Sequence, residues 1–242
     1  ANITKAVNRA GYRVQELVLE PLAGARAVLT EDEKEVGVAM VEIGAQTTNV
    51  AAYYEGKIHH VAILPFGGAT LTQDLMRGLA VPYKEAQRAK EHHSHAFAQM
   101  VDPRETVDLP GPSPNQMRSV ACELIAHIVE QRLDEMFGII QGELQDHGVA
   151  EKLGAGIVLS GGSASIPGIT ELAQQIFAAP VRLGVPAEGL GGIADVVARP
   201  RFTVGAGLAL WGADRFAETG RGASTRASGI VTRLGVWLKE FF

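Results

Sequence analysis

The chain has 242 residues, 46% of them hydrophobic and 20% charged, with a net charge of −5. That is the profile of a globular protein with enough chain for a sizeable core, and its acidity argues against a nucleic-acid binder, which needs a basic footprint. The single cysteine, Cys122, excludes an internal disulfide framework and a thiolate zinc site and suits a reducing compartment; no run of about 18 apolar residues offers a membrane span.

The chain begins with Ala1, without a basic-then-apolar leader, and inside what reads as a helix over 3–10 ending at Gly11. The expectation is therefore a piece whose N-terminal part is absent. Residues 13–19 (RVQELVL) alternate like a strand, and 21–29 read as a small apolar helix. Thr30 and Glu33 have capping-box spacing, but no helical run follows, so 30–33 are expected to form a turn. Residues 36–43, 48–54 and 57–64 read as three strands, the last two joined at Glu55-Gly56, with Ile58, Val61 and Ile63 as apolar anchors of the third. A helix over 70–78 follows the break at Pro65-Phe66-Gly67-Gly68. A polar helix is expected over 81–100, then a proline-punctuated loop with room for one short strand over 101–115, and a long helix over 117–147. Residues 156–160 (GIVLS) read as a buried strand, 167–177 as a helix, 181–184 as a short strand, and 202–211 as a small-residue helix that must pack closely. Residues 218–229 have linker composition.

Two segments carry chemistry. In Glu42-Ile43-Gly44-Ala45-Gln46-Thr47-Thr48-Asn49, a carboxylate ends a buried strand and a glycine turn with two threonines follows. Backbone N–H groups and hydroxyls in such a turn cradle phosphate, while the carboxylate orients Mg²⁺ or a water; a plain hairpin with a polar turn is the simpler reading of the segment alone. In Ser160-Gly161-Gly162-Ser163, two glycines directly after a buried strand permit close backbone approach to a flat ligand such as adenosine, or simply lead into a helix.

Together, about 110 residues apart, the two resemble one half of the actin-like ATPase superfamily, to which actins, Hsp70 chaperones and sugar kinases belong. Within it the chain closely resembles the FtsA family of bacterial cell division. The resemblance is carried by 2–11 (NITKAVNRAG), 30–38 (TEDEKEVGV), the hairpin from Glu42, 65–79 (PFGGATLTQDLMRGL), 154–168 (GAGIVLSGGSASIPG) and 234–241 (LGVWLKEF), in the family's order. It implies an α/β, actin-like (ribonuclease H-like) lobe: a mixed β-sheet flanked by helices, with an inserted small α+β subdomain and a C-terminal amphipathic helix. It assigns 1–35 to the end of subdomain 1A, 36–78 and 155–217 to subdomain 2A, 79–154 to subdomain 2B, 218–229 to a flexible linker and 230–242 to a membrane-targeting helix. The family's first phosphate loop and its 1C subdomain are not in the chain.

The resemblance further implies ATP with Mg²⁺ in the complete protein, held by Glu42, Gly44, Gln46, Thr47, Thr48, Gly161, Gly162 and Ser163, with weak binding or none in the chain as it stands. Glu130 and Arg132 fall where the superfamily often contacts adenosine, although a solvated helix face is the simpler reading of each. The family's hairpin runs close to Asp-Ile-Gly-Gly-Gly-Thr-Thr-Asp, so Glu42, Ala45, Gln46 and Asn49 depart from it. Those departures leave phosphate binding plausible and hydrolysis in doubt; Glu42 is the single candidate catalytic group, and at most a weak ATPase is expected. The implied partners are the C-terminal peptide of the tubulin-like FtsZ, on the 2B-like region; other copies of the protein, in filaments; and inner-membrane lipids. No nucleic acid is implied. The implied place is the cytoplasmic face of the bacterial inner membrane at the division site, held peripherally. A superfamily ATPase or phosphotransferase, an actin-like pilus-assembly adaptor, and a fragment with no nucleotide function left are the alternatives.

At about 100° per residue, Ile230, Val231, Leu234, Trp237, Leu238, Phe241 and Phe242 share an arc of roughly 140°. Arg233 and Lys239 lie on the remainder, as in an interfacial helix that binds a bilayer reversibly. Many copies held together would make that attachment stable. His92 and His95 share a face at i, i+3 if both are helical, but no carboxylate or cysteine is evidently near, so no direct metal site is expected. His59-His60 reads as surface alternation and Cys122 as a small buried residue.

Overall fold

The computed structural model describes residues 2–111, 116–186, 189–192 and 194–218. The linker from 219 and the helix 230–242, with all its candidate membrane residues, lie outside the described residues.

Strand β1 (Val38–Ile43) sits at the centre of a five-stranded sheet. It pairs antiparallel with β2 (Thr48–Tyr54), which pairs antiparallel with the edge strand β3 (Lys57–Leu64). On its other side β1 runs parallel to β6 (Gly156–Ser160), and β6 parallel to β7 (Val181–Leu183). The order is β3-β2-β1-β6-β7. All six residues of β1 are buried because both faces of the sheet are covered, which is why it reads as an apolar run interrupted only by Glu42. The two-residue period splits them: Ala39, Val41 and Ile43 join one core and Val38 and Met40 the other. The β2–β3 turn has left-handed backbone at Glu55 (φ 49°) and Gly56 (φ 68°), the hairpin geometry its sequence predicts.

The first face is covered by α4 (Gly68–Gly78), α5 (Tyr83–His93), α6 (Cys122–Asp146) and α7 (Ile169–Phe177). Phe137 of α6 is fully buried and meets the Phe177 ring edge-on at 5.5 Å. Phe137→Ala is expected to destabilise the fold by about 3–5 kcal/mol, through lost burial plus the cavity left behind, as a lower denaturant midpoint will show. The second face carries α2 (Glu20–Val28) and α9 (Thr203–Glu218). These two touch backbone to backbone: a Cβ on Gly207 would lie 1.7 Å from the Ala23 carbonyl oxygen. The close packing expected of the small-residue helix is therefore real.

The small insertion combines α5 with a hairpin of β4 (Thr106–Pro110) and β5 (Met117–Ala121), and the start of α6. Here the sequence reading needs correcting. The long helix begins at Cys122, not 117, because 117–121 alternate in burial and Leu109 and Val120 send their side chains into the core. α5 ends at His93 rather than running to 100.

Three further expectations change. Residues 13–19 form no strand; the segment is tied to α9 instead, where Glu16 accepts from Trp211 Nε1 at 3.2 Å and pairs with Arg215 at 3.3 Å. The segment from Thr30 does become a helix, α3 (Glu31–Val36), because the capping box is complete: Glu33 N donates to Thr30 Oγ1 at 3.2 Å and Thr30 N to Glu33 Oε2 at 2.9 Å. Thr30→Ala is expected to cost about 1 kcal/mol in thermal unfolding. On β3, Ile58 and Ile63 are exposed, and Ala62 and Leu64 pack on the core in their place. Among the described residues no helix is long and apolar enough to cross a membrane.

Candidate functional site

Three chain breaks meet beyond the C-terminal ends of the parallel strands β1 and β6, where open α/β sheets place ligands. The first is the turn after β1, closed by Gly44 N donating to Thr47 O at 2.9 Å. The second is the start of α4, docked on that turn: Gly68 N donates to Gly44 O at 2.9 Å and Ala69 N to Ala45 O at 2.7 Å. The third is the bend after β6. Gly161 has φ +84°, and a Cβ there would stand 2.4 Å from the Ile43 carbonyl oxygen. Only glycine fits both the left-handed backbone and that contact.

These breaks line one side of a cleft of about 640 Å³, with Gly44, Ala45, Gly68, Gly162 and Ser163 on its wall. The other side is α5, which presents Gln87, Lys90 and Glu91. Lys90 Nζ donates to Gly68 O at 2.9 Å, Thr72 Oγ1 at 2.9 Å and Gln87 Oε1 at 3.1 Å, tying α5 to the start of α4. Burial holds the Lys90 ammonium below its ordinary pKa, against the opposing pull of the Glu91 carboxylate. Gly68, Gln87, Lys90, Glu91 and Arg201 are among the cleft residues that sequence reasoning missed. Gln87, Lys90 and Glu91 stand at i, i+3, i+4 on one helical face, a spacing that a merely solvated face shares.

The sequence-predicted residues divide. Gly44, Gly162 and Ser163 line the cleft, and Gly161 is buried directly behind it. Gln46 is exposed at the tip of the turn and Thr47 is half-buried beside it. Neither Ala45 nor Gln46 has a positive φ, so the turn needs no glycine at those positions. Thr48 is turned away: it is fully buried and its hydroxyl donates to Phe66 O at 2.9 Å, pegging the hairpin to the break before α4. Glu130 and Arg132 do not line the cleft. Glu130 accepts from Ala98 N at 2.9 Å, and Arg132 pairs with Asp74 and Glu135 in a separate shallow groove. Their helical position was right for a polar face and gave no information about which groove it bordered.

Glu42 faces the α2 side of the sheet and is only 8% exposed. It accepts from Asn49 Nδ2 at 2.6 Å, and the same amide nitrogen donates to Glu20 Oε2 at 3.1 Å. Asn49 thus bridges two carboxylates with the two hydrogens of one amide. An aspartate at 49 would instead crowd three negative groups, which gives the departure from the family pattern a physical reason. Burial raises the Glu42 pKa above its ordinary value of 4.5; the Asn49 hydrogen bond opposes this and the Glu20 charge adds to it. The sign follows: a raised folded-state pKa means a stabilising contribution that is complete below about pH 4 and lost as pH rises through the raised value. Glu42→Gln is therefore expected to raise the thermal midpoint at pH 8 and leave it unchanged at pH 3.5, in melts of both proteins at the two pH values. Glu20, at the start of α2, was not singled out from the sequence; an acidic residue before Pro21 in a first helical turn was its only mark.

The histidine expectations also need correcting. His95 lies beyond α5 and its Nδ1 accepts from Phe97 N at 3.0 Å, so it shares no helical face with His92. His60 is no alternating surface residue: it is held by Glu143 at 2.8 Å. Cys122 is buried, as expected.

Strand order, helices on both faces and a cleft at the strand ends define one lobe of an actin-like fold. Solved structures agree. MreB5 of Spiroplasma citri bound to ADP superposes with a TM-score of 0.72 at 15% identity, over 91% of this chain and 67% of that one. The PilM-PilN type IV pilus biogenesis complex gives 0.65 at 18% identity, over 87% and 56%. At such identities the likeness speaks for the fold alone. The family model described as Cell division protein FtsA matches residues 39–207. The cell division protein FtsA of Pseudomonas aeruginosa is 40% identical over all of this chain and 60% of its own length, and that of Escherichia coli strain K12 is 32% identical over the same shares. The Neisseria meningitidis protein is 41% identical over 86% of this chain and 50% of its own. The chain belongs to the FtsA family of cell-division proteins, and it spans about 60% of the length of the relatives it matches across its whole length.

Proposed function

We propose that this chain is the larger part of an actin-like cell-division adaptor that binds ATP with Mg²⁺ in its cleft. In this reading it assembles with its own copies into filaments, holds the C-terminal peptide of FtsZ on the region 79–154, and attaches to the inner membrane from the cytoplasmic side through 230–242. The observation that carries the reading is the family match across the core and the cleft, residues 39–207. The MreB5 neighbour is described as bound to ADP, which supports a nucleotide in the same cleft here.

The residues present fit a nucleotide on this side of the cleft. A Cβ on Gly68 would come within 2.6 Å of Ser163 Oγ and 3.3 Å of Lys90 Nζ, so the wall is kept open by the lack of a side chain. Gly162, Ser163 and Gly68 would lie against the flat nucleoside, Gln87 and Lys90 would meet its polar groups, and the turn 44–47 would face phosphate. A bound Mg²⁺ would supply charge neutralisation at the phosphates, with Glu91 the carboxylate that lines the cleft. The enclosed, amide-bridged Glu42 makes binding the supported role, and the chain's own residues argue for slow turnover at most.

The tether has a direct test. Deleting 230–242 from a chain extended to the length of its relatives is expected to abolish co-sedimentation with liposomes containing anionic lipid, while circular dichroism stays unchanged. Undiminished pelleting would remove the membrane part of the proposal. Calorimetric titration with an FtsZ C-terminal peptide tests the partner, which the absence of any heat of binding to folded protein would exclude.

A further inference from the structure

We propose that His60, Glu143 and His147 form a binding site for one divalent transition-metal ion of the zinc class, separate from the nucleotide cleft. His60 projects from the edge strand β3, while Glu143 stands in the last turn of α6 and His147 caps that helix four residues on. One ligand atom from each lies within 4.8 Å of the others. His60 Nε2 is 2.8 Å from Glu143 Oε1, and His147 Nδ1 is 3.5 Å from that same oxygen while donating to the Glu143 carbonyl at 2.8 Å, a bond the ring would give up on turning to an ion. The two imidazole rings stack at 3.9 Å with 24° between their planes.

Two imidazoles and a carboxylate are the donor set of open zinc sites, which add a water as fourth ligand. Tetrahedral ligands about 2.1 Å from zinc stand ~3.4 Å apart, so the 2.8 Å pair would open by about 0.6 Å and the stacked rings would turn to aim one nitrogen each at the ion. The exposure gradient suits entry from solvent: the side chains are 12% exposed at His60, 26% at Glu143 and 49% at His147. The supports are rigid, a paired strand and a long helix. The other His, Glu and Cys trio among the described residues, His93, Glu105 and Cys122, is less suited, because burial and the Glu105 charge push the Cys122 thiol up and disfavour the thiolate.

Strand register places the site. His60 pairs with Ala52, Ala52 with Ala39 and Ala39 with Ile157, whereas the cleft begins beyond Glu42 and Ser160. Three residues of strand separate them, about 10 Å. An ion here would clasp the sheet edge to α6 without touching nucleotide.

The test is calorimetric titration of ZnCl₂ into chelator-treated, untagged protein at pH 7.5, with Co²⁺ absorption reporting geometry. One ion per chain is expected, with the visible bands of tetrahedral Co²⁺. His147→Ala, at a half-exposed site, and Glu143→Gln should each weaken binding at least about tenfold, whereas His93→Ala should leave it unchanged. Melting with and without Zn²⁺ supplies a second reading: the midpoint should rise in wild type and not in either variant. No saturable binding by wild type, unchanged affinity in both His147→Ala and Glu143→Gln, or loss in His93→Ala would overturn the proposal and leave a stacked, hydrogen-bonded contact without an ion.

Discussion

Gly207→Val is expected to yield protein that does not fold at 37 °C or melts far below wild type. The Cβ alone would sit 1.7 Å from Ala23 O, and the obstacle is helix backbone on both sides, which no rotamer change relieves. α2 and α9 together form the layer over the second core, where Val28 and Leu210 are nearly fully buried. Separating the two helices enough to admit the side chain would open that layer, at a cost above about 3 kcal/mol. Native stability is only about 5–15 kcal/mol, so the loss is a large share. Gly205 is the control on the same helix: nothing lies within 4 Å of a Cβ there. Gly205→Ala should therefore stabilise by about 0.5–1 kcal/mol through helix propensity alone. Equal melting of the two variants would show that the backbone contact between α2 and α9 is not the constraint.

The second large effect separates the cleft from the scaffold that holds it. Gly68→Leu is expected to cost nucleotide affinity at least a hundredfold, about 2.7 kcal/mol, with the thermal midpoint little changed. The atoms a Cβ at 68 would meet most closely are the ends of the Ser163 and Lys90 side chains, which can swing aside into the cleft. Leucine also suits the first turn of α4 better than glycine does. Gly161→Ala should do the reverse at the first stage: with φ +84° and the Ile43 carbonyl at 2.4 Å, it forces β1 and β6 apart and lowers stability before any ligand is added. Measuring melting and nucleotide affinity for both variants distinguishes a blocked site from a broken one.

The central sheet was legible in the sequence because β1, β2 and β6 are buried on both faces and the β2–β3 turn uses residues that fix its geometry. Thr48–Tyr54 and Lys57–Leu64 coincide with the expected strands, and Glu55-Gly56 with the expected turn. The failures have distinct causes. β5 was absorbed into α6 because Met117–Ala121 runs directly into Cys122 without a turn residue between them. α3 was missed because its six residues bury nothing, so it shows no apolar period and rests on its capping box alone. Two anchors of β3 were misplaced because Ile58 and Ile63 outweigh Ala62 and Leu64 in hydrophobicity, yet edge strands tolerate exposed apolar residues.

At the candidate site, the backbone half was readable and the side-chain half was not. Gly44, Gly162 and Ser163 announced themselves as turns after buried strands. Lys90 and Gln87 belong to a polar helix whose sequence resembles any solvated one, and only the fold sets that helix across the cleft from Gly68. Thr48 shows the opposite error. Its hydroxyl looked like a phosphate ligand, but a buried threonine next to a chain break finds a carbonyl first, here that of Phe66. Glu20 and Glu42 could not be joined from sequence at all, since the amide of Asn49 that links them does so across two elements.

The measurement that tests the account most directly is a calorimetric titration of ADP with Mg²⁺ into this protein, extended to the length of its relatives. The account predicts saturable binding at one site per chain, competed by ATP and lost in Gly68→Leu. Folded wild-type protein that shows no saturable binding of either nucleotide, or binding that survives Gly68→Leu unchanged, would contradict it.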